Sequence, residues 1–126
     1  MDRSKKMTDT ESEIMEVLWN SEIPMSAAEL IDYFAQHHGK SWKATTLATF
    51  LSRLSQKGLV DSVRKGRVPY YHPIQTRAAY MQSIAQEVLD TMYQGSVTKF
   101  FAALCGDTPL SPADRKELKA WLDKEM

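Results

Sequence analysis

The chain has 126 residues, the size of one ordinary domain or of one small domain with an appendage. With 43% hydrophobic and 25% charged residues it has the composition of a soluble globular protein, and no stretch is apolar enough for a bilayer span or a secretory signal. Its 16 basic and 16 acidic residues cancel, and a single cysteine, Cys105, excludes an internal disulfide framework and a multi-cysteine metal cluster; the expected compartment is the cytoplasm.

Thr8-Asp9-Thr10-Glu11 places a hydroxyl three residues before a carboxylate, the spacing of a capping box, and predicts the start of a first helix. Ile14, Val17 and Leu18 form its apolar face, with Trp19 beside it. After a break over Asn20 to Pro24, Ser26-Ala27-Ala28-Glu29 repeats the box and opens a second helix that buries Leu30, Ile31 and Phe34. Gly39 suits a left-handed terminus, and His37 and His38 read as groups that satisfy terminal carbonyls rather than as metal ligands.

A third helix is expected from about Lys43 to Lys57, with Leu47, Phe50, Leu51 and Leu54 as its core stripe and Gly58 as its stop. Two β-prone runs, 59–64 and 68–72, then flank Lys65-Gly66-Arg67 and predict a hairpin, with Pro69 on an outer edge.

Beyond Pro73 the pattern turns continuously helical. Met81, Ile84, Ala85, Val88, Leu89 and Met92 keep 3/4 spacing; Val97, Phe100, Phe101, Leu104 and Cys105 form a short apolar helix after Gln94-Gly95-Ser96. In the last helix Ser111 is the expected N-cap, Pro112 the first helical residue, and Leu118, Trp121 and Leu122 the buried face. The expected architecture is mainly α: a winged helix-turn-helix of three helices plus a β-hairpin over 8–74, then a helical dimerisation region over 75–126. About 50 residues make a marginal core on their own. A second copy of the chain is therefore expected to cover Met81, Ile84, Val88, Leu89, Met92, Val97, Phe100, Phe101, Leu104, Leu118, Trp121 and Leu122, as well as Tyr80 and Tyr93.

The neutral total hides a polarised distribution. Between Lys40 and Arg67 stand seven basic residues and one acid, Asp61, which points to a face for a polyanion. Opposite the stripe of the third helix lie Lys43, Thr45, Thr46, Thr49 and Arg53. Threonines are poor choices for a purely solvated helix, but their short hydroxyls and methyls can meet base edges while Lys and Arg meet phosphates or guanine. Arg64, Lys65 and Arg67 cluster at the hairpin tip and are expected to project together as a wing, with Tyr70 behind them. No nucleophile–base pair, phosphate loop or paired catalytic carboxylates stand out, so no enzyme activity, cofactor or metal is expected.

The blocks "TDTESEIMEVLWN", "SWKATTLATFLSRLSQKGLV", "KGRVPYYHP" and "YQGSV", with their spacing, resemble the penicillinase and methicillin-resistance repressor family (BlaI/MecI/CopY type) over nearly the whole chain. The resemblance implies a dimeric winged-helix repressor on double-stranded, inverted-repeat operator DNA. Thr45, Thr46 and Thr49 then fall where the family's recognition helix faces the major groove, and Trp42, Arg53, Arg67 and Tyr70 at support, backbone and wing positions. It also implies a membrane sensor-protease system that leads to cleavage in the C-terminal helices, without membrane insertion of the repressor itself. The family's Asn-Phe cleavage point aligns with Ala103-Leu104, and one Cys105 cannot build the cysteine-rich hook of the copper-responsive relatives. Two other readings remain open on sequence: a ligand-responsive winged-helix regulator with an effector between its domains, and a winged helix used for protein–protein contact.

Overall fold

The structure, a computed structural model, describes residues 6–125. Helix α1 (Asp9–Asn20) opens on the expected capping box: Glu11 N donates to Thr8 Oγ1 at 3.3 Å, and Thr8 N donates to Glu11 Oε1 at 2.9 Å. Strand β1 (Met25–Ser26) leads into α2 (Ala27–His38), where Ser26 and Glu29 form the second reciprocal box. Gly39 ends α2 at φ 63°, a left-handed conformation that costs glycine little. Helix α3 (Ala44–Gln56) is followed by β2 (Val60–Lys65) and β3 (Val68–Pro73), and then by α4 (Arg77–Met92), α5 (Val97–Cys105) and α6 (Pro112–Glu125).

The three strands form one antiparallel sheet in the order β1-β3-β2. The hairpin register runs from Val60↔Pro73 to Lys65↔Val68. Its two-residue turn has positive φ at Gly66 alone, the pattern of a II′ connection that matches strand twist. Strand β1 was not expected, because a two-residue pairing carries no periodicity; it arises from the register Met25↔Tyr71 and Ser26↔Tyr70. It makes β3 the middle strand, where the sequence reading had put Pro69 on an outer edge. Since β1 reaches only Tyr70 and Tyr71, Pro69 still lies on a stretch of β3 whose second side is open, and its missing N–H breaks no pairing with β1.

The chain divides into two compact units, Met1–Ile84 and Ala85–Met126. In the first, Ile14, Met15, Leu18, Leu30, Phe34, Leu47, Leu51, Leu54 and Leu59 are fully or nearly fully buried in one core. Each such side chain contributes roughly 1.5–3 kcal/mol through removal from water. Tyr80, expected to be covered by a second copy, is buried here instead at 4% exposure: its hydroxyl accepts from Met7 N at 2.9 Å and its ring lies 5.8 Å from Trp19. Trp19 Nε1 donates to Gln75 O at 2.9 Å, and Arg77 pairs with Glu16, so the start of α4 is bolted to α1. Ile84 packs partly against the same core.

The second unit is different in kind. None of the described residues of α5 or α6 is buried. Ser111 does cap α6, accepting from Asp114 N at 3.1 Å, but Leu118, Trp121 and Leu122 are not the buried face of this chain alone: Leu118 is half-buried, and Trp121 is 54% exposed. An amphipathic helix needs a covering surface, and the described residues leave this one uncovered. No helix among the described residues is long and apolar enough to cross a membrane.

Candidate nucleic-acid interface

Helix α3 sorts its side chains by angle. Leu47, Leu51 and Leu54 point into the core, while Thr45, Thr46, Thr49, Ser52 and Arg53 are exposed. Lys43, at the N-cap, is exposed and makes no side-chain cap, so its ammonium is free to project beyond the helix start. Thr49 Oγ1 donates to Thr45 O at 3.1 Å, which turns that hydroxyl's proton back onto the helix. Below the turn, Trp42 fills the space between α2 and α3: its ring lies 4.6 Å from Phe34 and 5.8 Å from Phe50. This aromatic contact sets how α3 leaves the turn after α2.

The hairpin tip departs from the expected cluster of three cations projecting together. Arg64 and Lys65 are adjacent on a strand and so point to opposite faces. Lys65 Nζ sits 5.1 Å from the centroid of the Tyr70 ring, a cation–π contact that presents the ammonium along the outer face of the wing. Arg64 reaches towards the carbonyl of Arg67 at 3.5 Å, on the other side. Val63 and Val68, 52% and 45% exposed, share the outer face with Lys65 and Tyr70.

The electrostatics also change with the structure in hand. Of the seven basic residues in the 40–67 stretch, Lys40 and Lys57 are engaged by acids of α1. Lys40 pairs with Glu13, and Lys57 Nζ lies 2.6 Å from Glu11 Oε1 and 2.9 Å from Lys6 O. Lys43, Arg53, Arg64, Lys65 and Arg67 have no carboxylate partner among the described residues, and Asp61 on β2 is exposed, its Oδ1 accepting from Ser62 N. Five cations per chain therefore face solvent. Glu11 and Lys57 are 46 positions apart, and no local pattern announces that they meet.

Glu11 is fully buried, and its Oε2 has no hydrogen-bond partner in the protein. Burial pushes its carboxyl pKa up, but the hydrogen bonds from Lys57 and from the Thr8 backbone, with the Lys57 charge, outweigh this and hold it below its ordinary value. A depressed carboxylate stabilises the fold above its ordinary pKa and loses that contribution as pH falls through the lower folded-state value. Glu11→Gln should therefore destabilise by about 1–3 kcal/mol at neutral pH. In urea titrations its deficit against wild type should shrink on acidification; a deficit independent of pH would mean that the carboxylate charge contributes nothing.

Among the described residues, no group of three His, Cys, Asp or Glu side chains is placed to hold a metal ion. His37 Nδ1 lies 3.1 Å from Tyr33 O, the terminal-carbonyl role expected of it, and its ring stacks on Tyr33. The Ala103-Leu104 bond lies within α5, exposed but helical.

Comparison with known proteins decides the family. A family model described as penicillinase repressor matches residues 7–124. The chain belongs to the penicillinase repressor family. Membership places it among repressors, not enzymes. Within the family's range it is 25% identical over 124 residues to the penicillinase repressor of Bacillus licheniformis, covering 98% of this chain and 94% of the relative. It is 20% identical over 123 residues to the methicillin resistance regulatory protein MecI of Staphylococcus aureus (strain N315), covering 98% of each. Among solved structures, the DNA binding domain of the repressor BlaI superposes with a TM-score of 0.52 at 28% identity, covering 62% of this chain and 92% of that one. The three helices and wing are thus a winged helix of the family's type.

Proposed function

We propose that this penicillinase-repressor-family protein is a cytoplasmic transcriptional repressor that binds an inverted-repeat operator in double-stranded DNA as a homodimer. The observation that carries the reading is the exposed, acid-free face of α3, where Thr45, Thr46 and Thr49 stand between Lys43 and Arg53. A face with hydroxyls and methyls at its centre and cations at its ends suits base edges in the major groove between two phosphate backbones. The wing, with Arg64, Lys65, Arg67 and Tyr70, lies along the flanking backbone. A 8–74 reading head and a 75–126 dimerisation region fit this division of labour, and the second unit's exposed Met92, Val97, Leu104, Trp121 and Leu122 favour a covering copy of the same chain. Relief of repression follows from loss of the dimer, by cleavage near Ala103-Leu104 under a membrane sensor-protease system or by another event.

Footprinting on DNA upstream of the protein's own coding region tests the reading: protection of two inverted half-sites is expected. Thr46→Ala should cost on the order of 1–3 kcal/mol on that operator and relax sequence choice. Arg67→Ala should instead weaken all DNA alike and flatten the salt slope by about one. Unchanged operator preference in Thr46→Ala would remove α3 from the reading role.

A further inference from the structure

The charge count of the interface leaves two lysines over, and their positions are not arbitrary. Lys40 stands just before α3 and Lys57 just after it. Both are drawn to α1, to Glu13 and Glu11 respectively. Glu11 and Glu13 are two residues apart on a helix, so their side chains leave α1 about 200° apart. One helix thus reaches both ends of the segment that carries the Thr face.

The Lys57 end is the more firmly built. Its partner's side chain is 1% exposed, and Glu11 Oε1 accepts from both Lys57 Nζ at 2.6 Å and Thr8 N at 2.9 Å. Lys57 also donates to Lys6 O, so one ammonium joins the end of α3 to the chain on both sides of the α1 N-cap. At the other end, Lys40 pairs with Glu13 and sits 5.4 Å from the centroid of Trp42, the ring wedged between α2 and α3. The core contacts of Leu47, Leu51 and Leu54 are apolar and non-directional; directed bonds at the two ends add what those contacts lack, a fixed axial and rotational setting.

We infer that Lys57 with Glu11, and Lys40 with Glu13, are positioning residues that aim the Thr face of α3, and are not phosphate contacts. The inference rests on the functional reading above, in which α3 reads base edges. A phosphate contact and a positioning contact leave different signatures. Loss of a phosphate contact weakens all sequences and lowers the salt slope by about one. Loss of aim weakens base readout, which depends on hydrogen-bond geometry, and spares the backbone term.

The experiment uses the full-length protein and two duplexes of equal length: one enriched by wild type from a random-sequence library, and a scrambled control. Lys57→Met should reduce preference for the enriched duplex about tenfold or more while leaving binding of the scrambled duplex and the salt slope unchanged. Lys57→Arg, which keeps the charge, should restore most of the preference. Lys40→Met, at a half-exposed pair whose loss the fold tolerates, should give a smaller drop of the same kind and keeps the test decisive if Lys57→Met does not fold. A salt slope reduced by about one in either Met variant, or an unchanged preference in both, overturns the inference. If wild type itself enriches no sequence, the functional reading fails first, and that result is separate from any variant.

Discussion

Raising salt from about 50 to 200 mM should weaken operator binding by roughly 10³–10⁵-fold. Each neutralised phosphate releases condensed counterions, and that release grows less favourable as salt rises. The five solvent-facing cations, Lys43, Arg53, Arg64, Lys65 and Arg67, are the chain's means of neutralisation, and the proposed dimer carries two sets of them. About 6–10 phosphate contacts per dimer then follow without help from Lys40 or Lys57, which α1 holds. The measurement is the apparent dissociation constant on one duplex at four or more salt concentrations, and its slope counts contacts. A nearly salt-independent constant would remove the electrostatic basis of the interface. A slope calling for more than ten contacts would bring the two held lysines back onto the DNA, against the geometry of their pairs.

The parts of the fold that were readable from sequence are those whose physics is local. Thr8 and Glu11, or Ser26 and Glu29, find each other across three residues whatever the rest of the chain does, and both boxes form. The core stripe of α3 and the glycine at the hairpin turn follow from helical spacing and from tolerance of positive φ. What could not be read is what long-range packing decides. Tyr80 keeps the spacing of an interface residue, yet the Met7 backbone, 73 positions away, claims its hydroxyl. Lys57 looks like one more cation of a basic face until Glu11 comes into reach. Arg64 and Lys65 are neighbours in sequence, and strand geometry sends them to opposite faces for that very reason. The residues expected to meet DNA on α3 are exposed as expected, since exposure on one face is the complement of burial on the other; the aim of that face depends on partners that no periodicity reveals.

A chain truncated after Gln94 should stay folded through its helices and wing, sediment as a monomer, and bind a full palindrome about 10²–10⁴-fold more weakly than the intact protein. The first unit has its own core and closes before residue 85, so it does not need the second to fold. The solved DNA binding domain of BlaI, which covers 62% of this chain, shows the same portion of a relative standing alone. The second unit spans about 40 residues, near the lower limit for an independent core. Its apolar residues remain open, Met92 at 65% and Leu104 at 60% exposure, and so its stability calls for a partner surface. Joining two weak half-site binders raises the effective concentration of the second head once the first is bound, with no new contact to DNA. The same linkage explains how repression can end without any change to α3: remove the covering helices and each head is left with single-site affinity. On an isolated half-site the truncated and intact chains should bind alike, which separates lost linkage from a damaged reading head. A truncated chain that holds the palindrome as tightly as the intact protein would show that dimer disruption is not the switch.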